Sequence, residues 1–320
     1  MLRQPFVVSS ILLAGAIALV GRPATASTAY QHMTNINQGE QYGNSDIYAS
    51  WGYMSYELAR LDLTEPPTVA ENTVLRTSES GVGLWTTAGL FGLQKVPISA
   101  STWARATQNR VGSASSTYFA GVAGNVAVMG SQWYYLPLSS PACPSGSGPG
   151  NCAGFDRSAS TTLFSTSKTF TLGPIPVTVD GSVVATMHEG LSSKAYSARY
   201  VGSANTFYGS TSANLNASAY LSANFGAFAG IPDVVGVGVT ASFRLLEIAV
   251  TPASSNTFVS SPTGLTQYSN SMPLTVRTMS GRVDVTATLG FSYTKNIVSW
   301  SGYSNTWNLY NTSGSQKFDF

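Results

Sequence analysis

The chain has 320 residues, of which only 9% are charged, against about 25% in an average soluble protein. Its formal net charge is +2 and no stretch is markedly basic, so it gives no footprint for nucleic acid or anionic lipid. Two histidines and two cysteines leave too few soft ligands for a zinc site, and no cofactor motif is present, so no metal and no cofactor are expected.

Residues 1–26 read as a secretory signal peptide: Arg3 near the start, an apolar run over Phe6–Val20, and the small-x-small segment Ala24-Thr25-Ala26. The mature chain then begins at Ser27. Without Arg3 and Arg22 its 14 basic residues balance 14 acidic ones. No later stretch reaches the ~18 consecutive apolar residues of a membrane helix, so no transmembrane helix is expected in the mature chain.

Residues 27–138 read as a β-rich N-terminal region. The polar segment 27–44, which includes His32, reads as a loosely held lead-in. Over 45–63 the spacing predicts a helix, since Ile47, Trp51, Met54, Leu58 and Leu61 form a stripe, with a strand as the alternative that Gly52 and the Tyr-rich filling leave open. Ser45 or Asp46 could cap it, and Pro66-Pro67 follow. Short strands are predicted at Thr73–Thr77, Val82–Leu93, Tyr118–Met129 and Trp133–Leu138.

Residues 139–158 are rich in Gly and Pro and read as a loop or linker. They enclose Cys143 and Cys152, which an exported protein would pair as a structural disulfide.

Residues 159–320 read as a region of long strands. Pro174 and Pro176 should confine their segment to an edge or bulge, after which Val177, Val179, Val183, Ala185 and Met187 share a face. From Ala213 to Ile231 every odd position is apolar, while the even positions are mostly Asn, Ser and Gly. That period of two marks a strand with one buried and one wet face. It predicts a hairpin with Val235–Val250. A second hairpin is predicted from Leu274–Met279 to Val283–Tyr293, turning at Ser280-Gly281. Together these patterns predict an all-β fold, an elongated antiparallel β-sandwich with long strands and one short N-terminal helix.

Chemistry is sparse. His188 stands beside Glu189, but neighbours in a strand point to opposite faces, so Glu189 could not orient its ring. No Gly-x-Ser-x-Gly elbow and no second zinc-binding histidine are present. No catalytic residues are assigned and the chain is not expected to be an enzyme. The residues that could bind a ligand are aromatic: Trp133, Tyr134, Tyr135, Trp300, Tyr303 and Trp307, whose rings would stack on sugars if they are not core or edge residues.

The expectation is therefore an exported, non-catalytic structural or adhesive β-protein, extracellular or at the cell surface, with itself or surface glycans as partner. Three alternatives stand beside it: an outer-membrane β-barrel, a β-pore-forming protein and a carbohydrate-binding protein. Phe318 and Phe320 resemble an aromatic barrel terminus, but Gln316, Gly314 and Thr312 do not extend the pattern. A 19-residue strand also exceeds the ~9–11 residues that cross a bilayer.

Overall fold

A computed structural model describes residues 27–43, 47–64, 73–90, 93–95, 98–111, 115–128, 130–145, 147–199, 206–231, 234–261 and 263–318. The expected signal segment 1–26 lies outside them.

Alternating sequence becomes two antiparallel meanders. Sheet A holds β1 (Ser27–Gly43), β2 (Ile47–Thr64), β3 (Thr73–Leu90), β4 (Leu93–Lys95), β5 (Ile98–Val111), β6 (Thr117–Val128) and β7 (Ser131–Ser139), in the order β1-β2-β3-β5-β6-β7 with β4 on the end of β3. Sheet B holds β8 (Asn151–Leu172), β9 (Ile175–Ala198), β10 (Phe207–Ile231), β11 (Val235–Val250), β12 (Ala253–Ser261), β13 (Thr263–Leu289), β14 (Ser292–Trp300) and β15 (Tyr303–Phe318). Both β11 and β12 pair with β10 and with β13, end to end. In the same way β14 and β15 share the far side of β13. Sheet B is thus a six-lane up-and-down meander. Pro252, which lacks an N–H, marks the break between β11 and β12, and Gly302, at φ 69°, marks the one between β14 and β15.

The sheets pack face to face around two apolar clusters. One gathers Tyr53, Val82, Val122, Val126, Leu191, Leu215 and Met272. The other gathers Leu61, Phe207, Phe258 and Phe318. A buried polar belt also joins the sheets. Ser80 meets the Thr211 hydroxyl at 2.8 Å, Asn256 donates to the Leu58 carbonyl at 2.7 Å, and Ser55 donates to Asn270 at 2.8 Å. Arg76 donates to Gln108 and to Ser260. Buried polar groups cost little when each is bonded, and a bonded set fixes one register between the sheets.

Length decides how far the sandwich extends. β8, β9, β10 and β13 run to 22, 24, 25 and 27 residues, whereas β2 and β3, the longest strands of sheet A, have 18 each. Sheet A therefore covers one half of sheet B and leaves the other half open.

The all-β class and the antiparallel arrangement hold, and several local expectations do not. Residues 45–63 carry no helix over their described part; Ile47–Thr64 is β2, laddered to β1 and β3 along its whole length. Its apparent helical stripe mixes faces. Tyr53, Ser55, Glu57, Ala59 and Leu61 point inward at a period of two, and two flanking ladders outweigh a modest helix propensity. The lead-in is strand β1, and His32 is held there by a ring stack on Tyr268 (4.3 Å) and a 2.6 Å contact with Gln316. The 139–158 loop ends at Gly150, where β8 begins. Ser280-Gly281 lies inside β13, and the turn comes instead at Gly290, φ 69°. Gly173-Pro174 is a hairpin turn between β8 and β9 and not an edge.

Candidate functional site

The face of sheet B that lines the sandwich continues beyond the rim of sheet A, still apolar. Along β10, Ala213, Leu215 and Ala217 are buried, while Phe225 and Ile231 on the same face are more than half exposed. Register carries this face across all six lanes in transverse rows. One row reads Phe170, Val177, Ala229, Val237, Ala287, Tyr293. A deeper one reads Phe164, Val183, Ala223, Phe243, Gly281, Trp300.

The three hairpins at the open end finish in apolar residues. Leu172 and Ile175 flank the first turn, Ile231, Val234 and Val235 the second, and Leu289 and Phe291 the third. All seven are exposed, Phe291 and Leu172 at 73% and 70%. Turns of water-facing hairpins usually carry polar residues, so apolar tips on three hairpins at one end form a surface that water does not favour.

The opposite face of the same half is polar. One row reads Ser165, Ser182, Asn224, Ser242, Arg282, Ser299. Hydroxyls pair across strands at 2.9 Å, Thr169 with Thr178 and Thr286 with Thr294. Several charges here are paired: Arg282 donates to Asp284 at 2.7 Å, and Arg244 and Arg277 both reach Glu247. Single-residue bulges at Leu163, Leu245 and Ile297 interrupt the ladders of this half and increase its local twist.

The residues singled out in the sequence fall into separate places. Cys143 and Cys152 are bridged, with Cα atoms 4.7 Å apart. Cys143 N–H donates to Gly150 O and Cys152 N–H to Pro141 O, so the bridge ties the crossing from sheet A to sheet B. Tyr134 stacks on Phe155 at 5.0 Å, Trp133 lies under the Arg157 guanidinium at 4.9 Å, and Tyr135 is exposed. Trp300, Tyr303 and Trp307 sit on the β14–β15 lane, with four lanes between them and β8, where Phe155 and Arg157 lie. The six aromatics therefore do not form one site. Trp300, tilted against Phe243 at 5.7 Å, belongs to the open apolar face.

His188 and Glu189 do diverge, as strand geometry requires. His188 meets the Ser158 hydroxyl at 3.0 Å and Asp156 at 3.7 Å on the wet face. Glu189 points inward and is fully buried, and neither of its oxygens has a hydrogen-bond partner among the described residues. Burial pushes its pKa up to about 8, which keeps it protonated at neutral pH. Arg157 stands opposite it on β8 but directs its guanidinium to Trp133. Burial also raises Glu57, with Thr34 and His32 partly opposing.

The sequence reading missed the hairpin tips. A signal was present: Gly173, Pro232 and Gly290 stand 59 and 58 residues apart, each beside large apolar residues.

Comparison with protein-family models gives no match, and comparison with curated proteins gives none. Among solved structures, one on lipid-protein interactions in lipovitellin aligns at a TM-score of 0.27 and 8% identity, covering 84% of this chain and 28% of that one. The chain thus spans well under half of that protein's length, and a likeness this faint carries no argument.

Proposed function

We propose that this is an exported, non-catalytic surface protein that adheres to a lipid bilayer through the open half of sheet B. The observation that carries this reading is the set of three apolar hairpin tips at one end of a two-faced sheet. Beyond the deep row of Phe164 and Trp300, eight residues of each lane remain, and their outer rows are of a length to enter the headgroup and acyl boundary. Val, Phe, Ile and Leu on one side suit acyl chains, and Ser, Thr and Asn on the other suit water or headgroups. The disulfide is compatible with an oxidising compartment, and no helix among the described residues is long and apolar enough to cross a membrane.

Flotation on phosphatidylcholine vesicles tests the reading. The protein is expected to float with the vesicles. The triple variant Leu172→Asn, Leu289→Asn, Phe291→Ser should stay at the bottom of the gradient with unchanged circular dichroism. Failure of the unmodified protein to float overturns the reading. A concentration-dependent dimer that the triple variant abolishes would then assign the face to a second copy of this chain.

A further inference from the structure

Among the described residues the open apolar face carries two charges, and they lie in one row. Lys168, Val179, Ala227, Val239, Val285 and Lys295 are consecutive cross-strand partners across all six lanes. The two lysines are 127 positions apart in sequence, on the two opposite edge strands of the open half, and both are exposed. Neither forms an ion pair among the described residues. The acids one position from this row, Asp180 and Asp284, project from the other face, where Arg282 and Asn296 hold Asp284.

Depth makes this row meaningful. It lies two row steps in from the tip row, about 13 Å along a strand at ~3.3 Å per residue, or some 10 Å of depth for strands inclined about 40°. An interfacial apolar face sinks roughly 5–10 Å into the headgroup and acyl boundary. With the tip row and the Phe170–Tyr293 row immersed, the lysine row arrives at the level of the phosphates. There the ammonium groups can stay hydrated while their stems lie along apolar surface. Deeper insertion would take both lysines toward the bilayer centre, where a charged side chain on a lipid-facing strand is strongly disfavoured, so the row also acts as a stop.

We infer that Lys168 and Lys295 form a headgroup-level clamp that selects anionic phospholipid. This deepens the bilayer reading and rests on it. The competing role for the same residues is protection of exposed sheet edges against pairing with other chains. That role makes no demand on lipid charge.

The test compares partitioning onto pure phosphatidylcholine vesicles with partitioning onto vesicles containing one fifth phosphatidylglycerol, at low and high salt. The unmodified protein is expected to bind the anionic vesicles about ten- to thirtyfold more tightly at low salt, from two lysines near a charged surface, with the advantage lost at high salt. The variant Lys168→Gln, Lys295→Gln should bind both compositions as the unmodified protein binds pure phosphatidylcholine. Equal binding of the unmodified protein to both compositions overturns the inference and leaves the bilayer reading standing. So does a double variant that retains the anionic preference, or one that only aggregates in solution while retaining it. Binding to neither composition overturns the bilayer reading and the clamp together.

Discussion

The two halves of sheet B share strands, faces and register, and differ in what lies over them. In the covered half the inward face uses small residues such as Ala153, Ala195, Ala213 and Ala217, with a few large anchors, and it tolerates a belt of bonded polar groups. In the open half that face carries more β-branched and aromatic residues, among them Phe170, Phe225, Val235, Val237 and Val239. The larger apolar side chains thus sit where no protein covers them. An apolar period of two establishes which residues share a face, while the length of the opposing sheet determines where that face becomes a core. The open half is composed for contact and the covered half for a fixed fit.

The sharpest way to break this comparison is to truncate one ring in each half. Phe258 is fully buried, with Phe207 at 5.8 Å and Phe318 at 5.9 Å. Phe258→Ala should cost about 3–5 kcal/mol in urea denaturation. Phe225→Ala removes the same atoms from a ring that is 52% exposed, and should cost less than about 1 kcal/mol. Equal losses would mean that the open face is buried in solution and that the two halves are one kind of surface.

The next effect belongs to the covered half and depends on pH. Glu189 has its carboxyl pKa raised by burial from 4.5 to about 8. A group whose folded pKa lies above its unfolded value keeps its proton in the folded state. Its contribution is fully present below about pH 4.5, falls as pH rises, and is lost above about pH 8. Glu189→Gln, neutral throughout, should be more stable than the unmodified protein at pH 9 by a few kcal/mol, on the order set by a shift of this size. At pH 4 the two should be nearly equal. Paired melts across that range check it, and a difference that grows toward acid would reverse the assignment.

The features that were legible in the sequence were those with strict local periodicity. The 213–231 strand, its hairpin with 235–250 and the divergence of His188 from Glu189 all follow from alternation alone. Ile47–Thr64 was legible only as helix or strand, because Trp51, Met54, Leu58 and Leu61 also satisfy a helical spacing and only the ladders of β1 and β3 decide between them. The turn after Leu289 was misplaced because Ser280-Gly281 is a stronger turn dipeptide than Gly290-Phe291, yet Gly281 lies where the Trp300 ring crosses the strand and leaves no room for a Cβ. The lysine row could not be read at all. Its members come from two strands at opposite edges, and no local pattern records that they share a depth.

Reduction tests the link that brings the two sheets together. Cys143 and Cys152 close a small loop at the crossing, so Cys143→Ser with Cys152→Ser should cost roughly 2–3 kcal/mol by the chain-entropy estimate. The loss should appear as a lower urea midpoint for the whole fold. It should leave bilayer flotation intact below that midpoint, because the bridge lies at the covered end and the apolar tips at the other.

The smallest expected stability effect sharpens the comparison most finely. Phe291 stands beside the third turn with its ring largely in water, so it has little packing to lose. Phe291→Ser should move the urea midpoint by no more than about 0.5 kcal/mol equivalent, while lowering the fluorescence of a dye that binds exposed apolar surface. Those two readouts respond oppositely to the two kinds of surface. A core residue, when truncated, destabilises the fold and changes dye binding little, whereas a contact residue changes dye binding and leaves the fold alone. If the midpoint falls and dye binding holds, the ring is packed against another molecule of this chain, and the third tip belongs with the covered half.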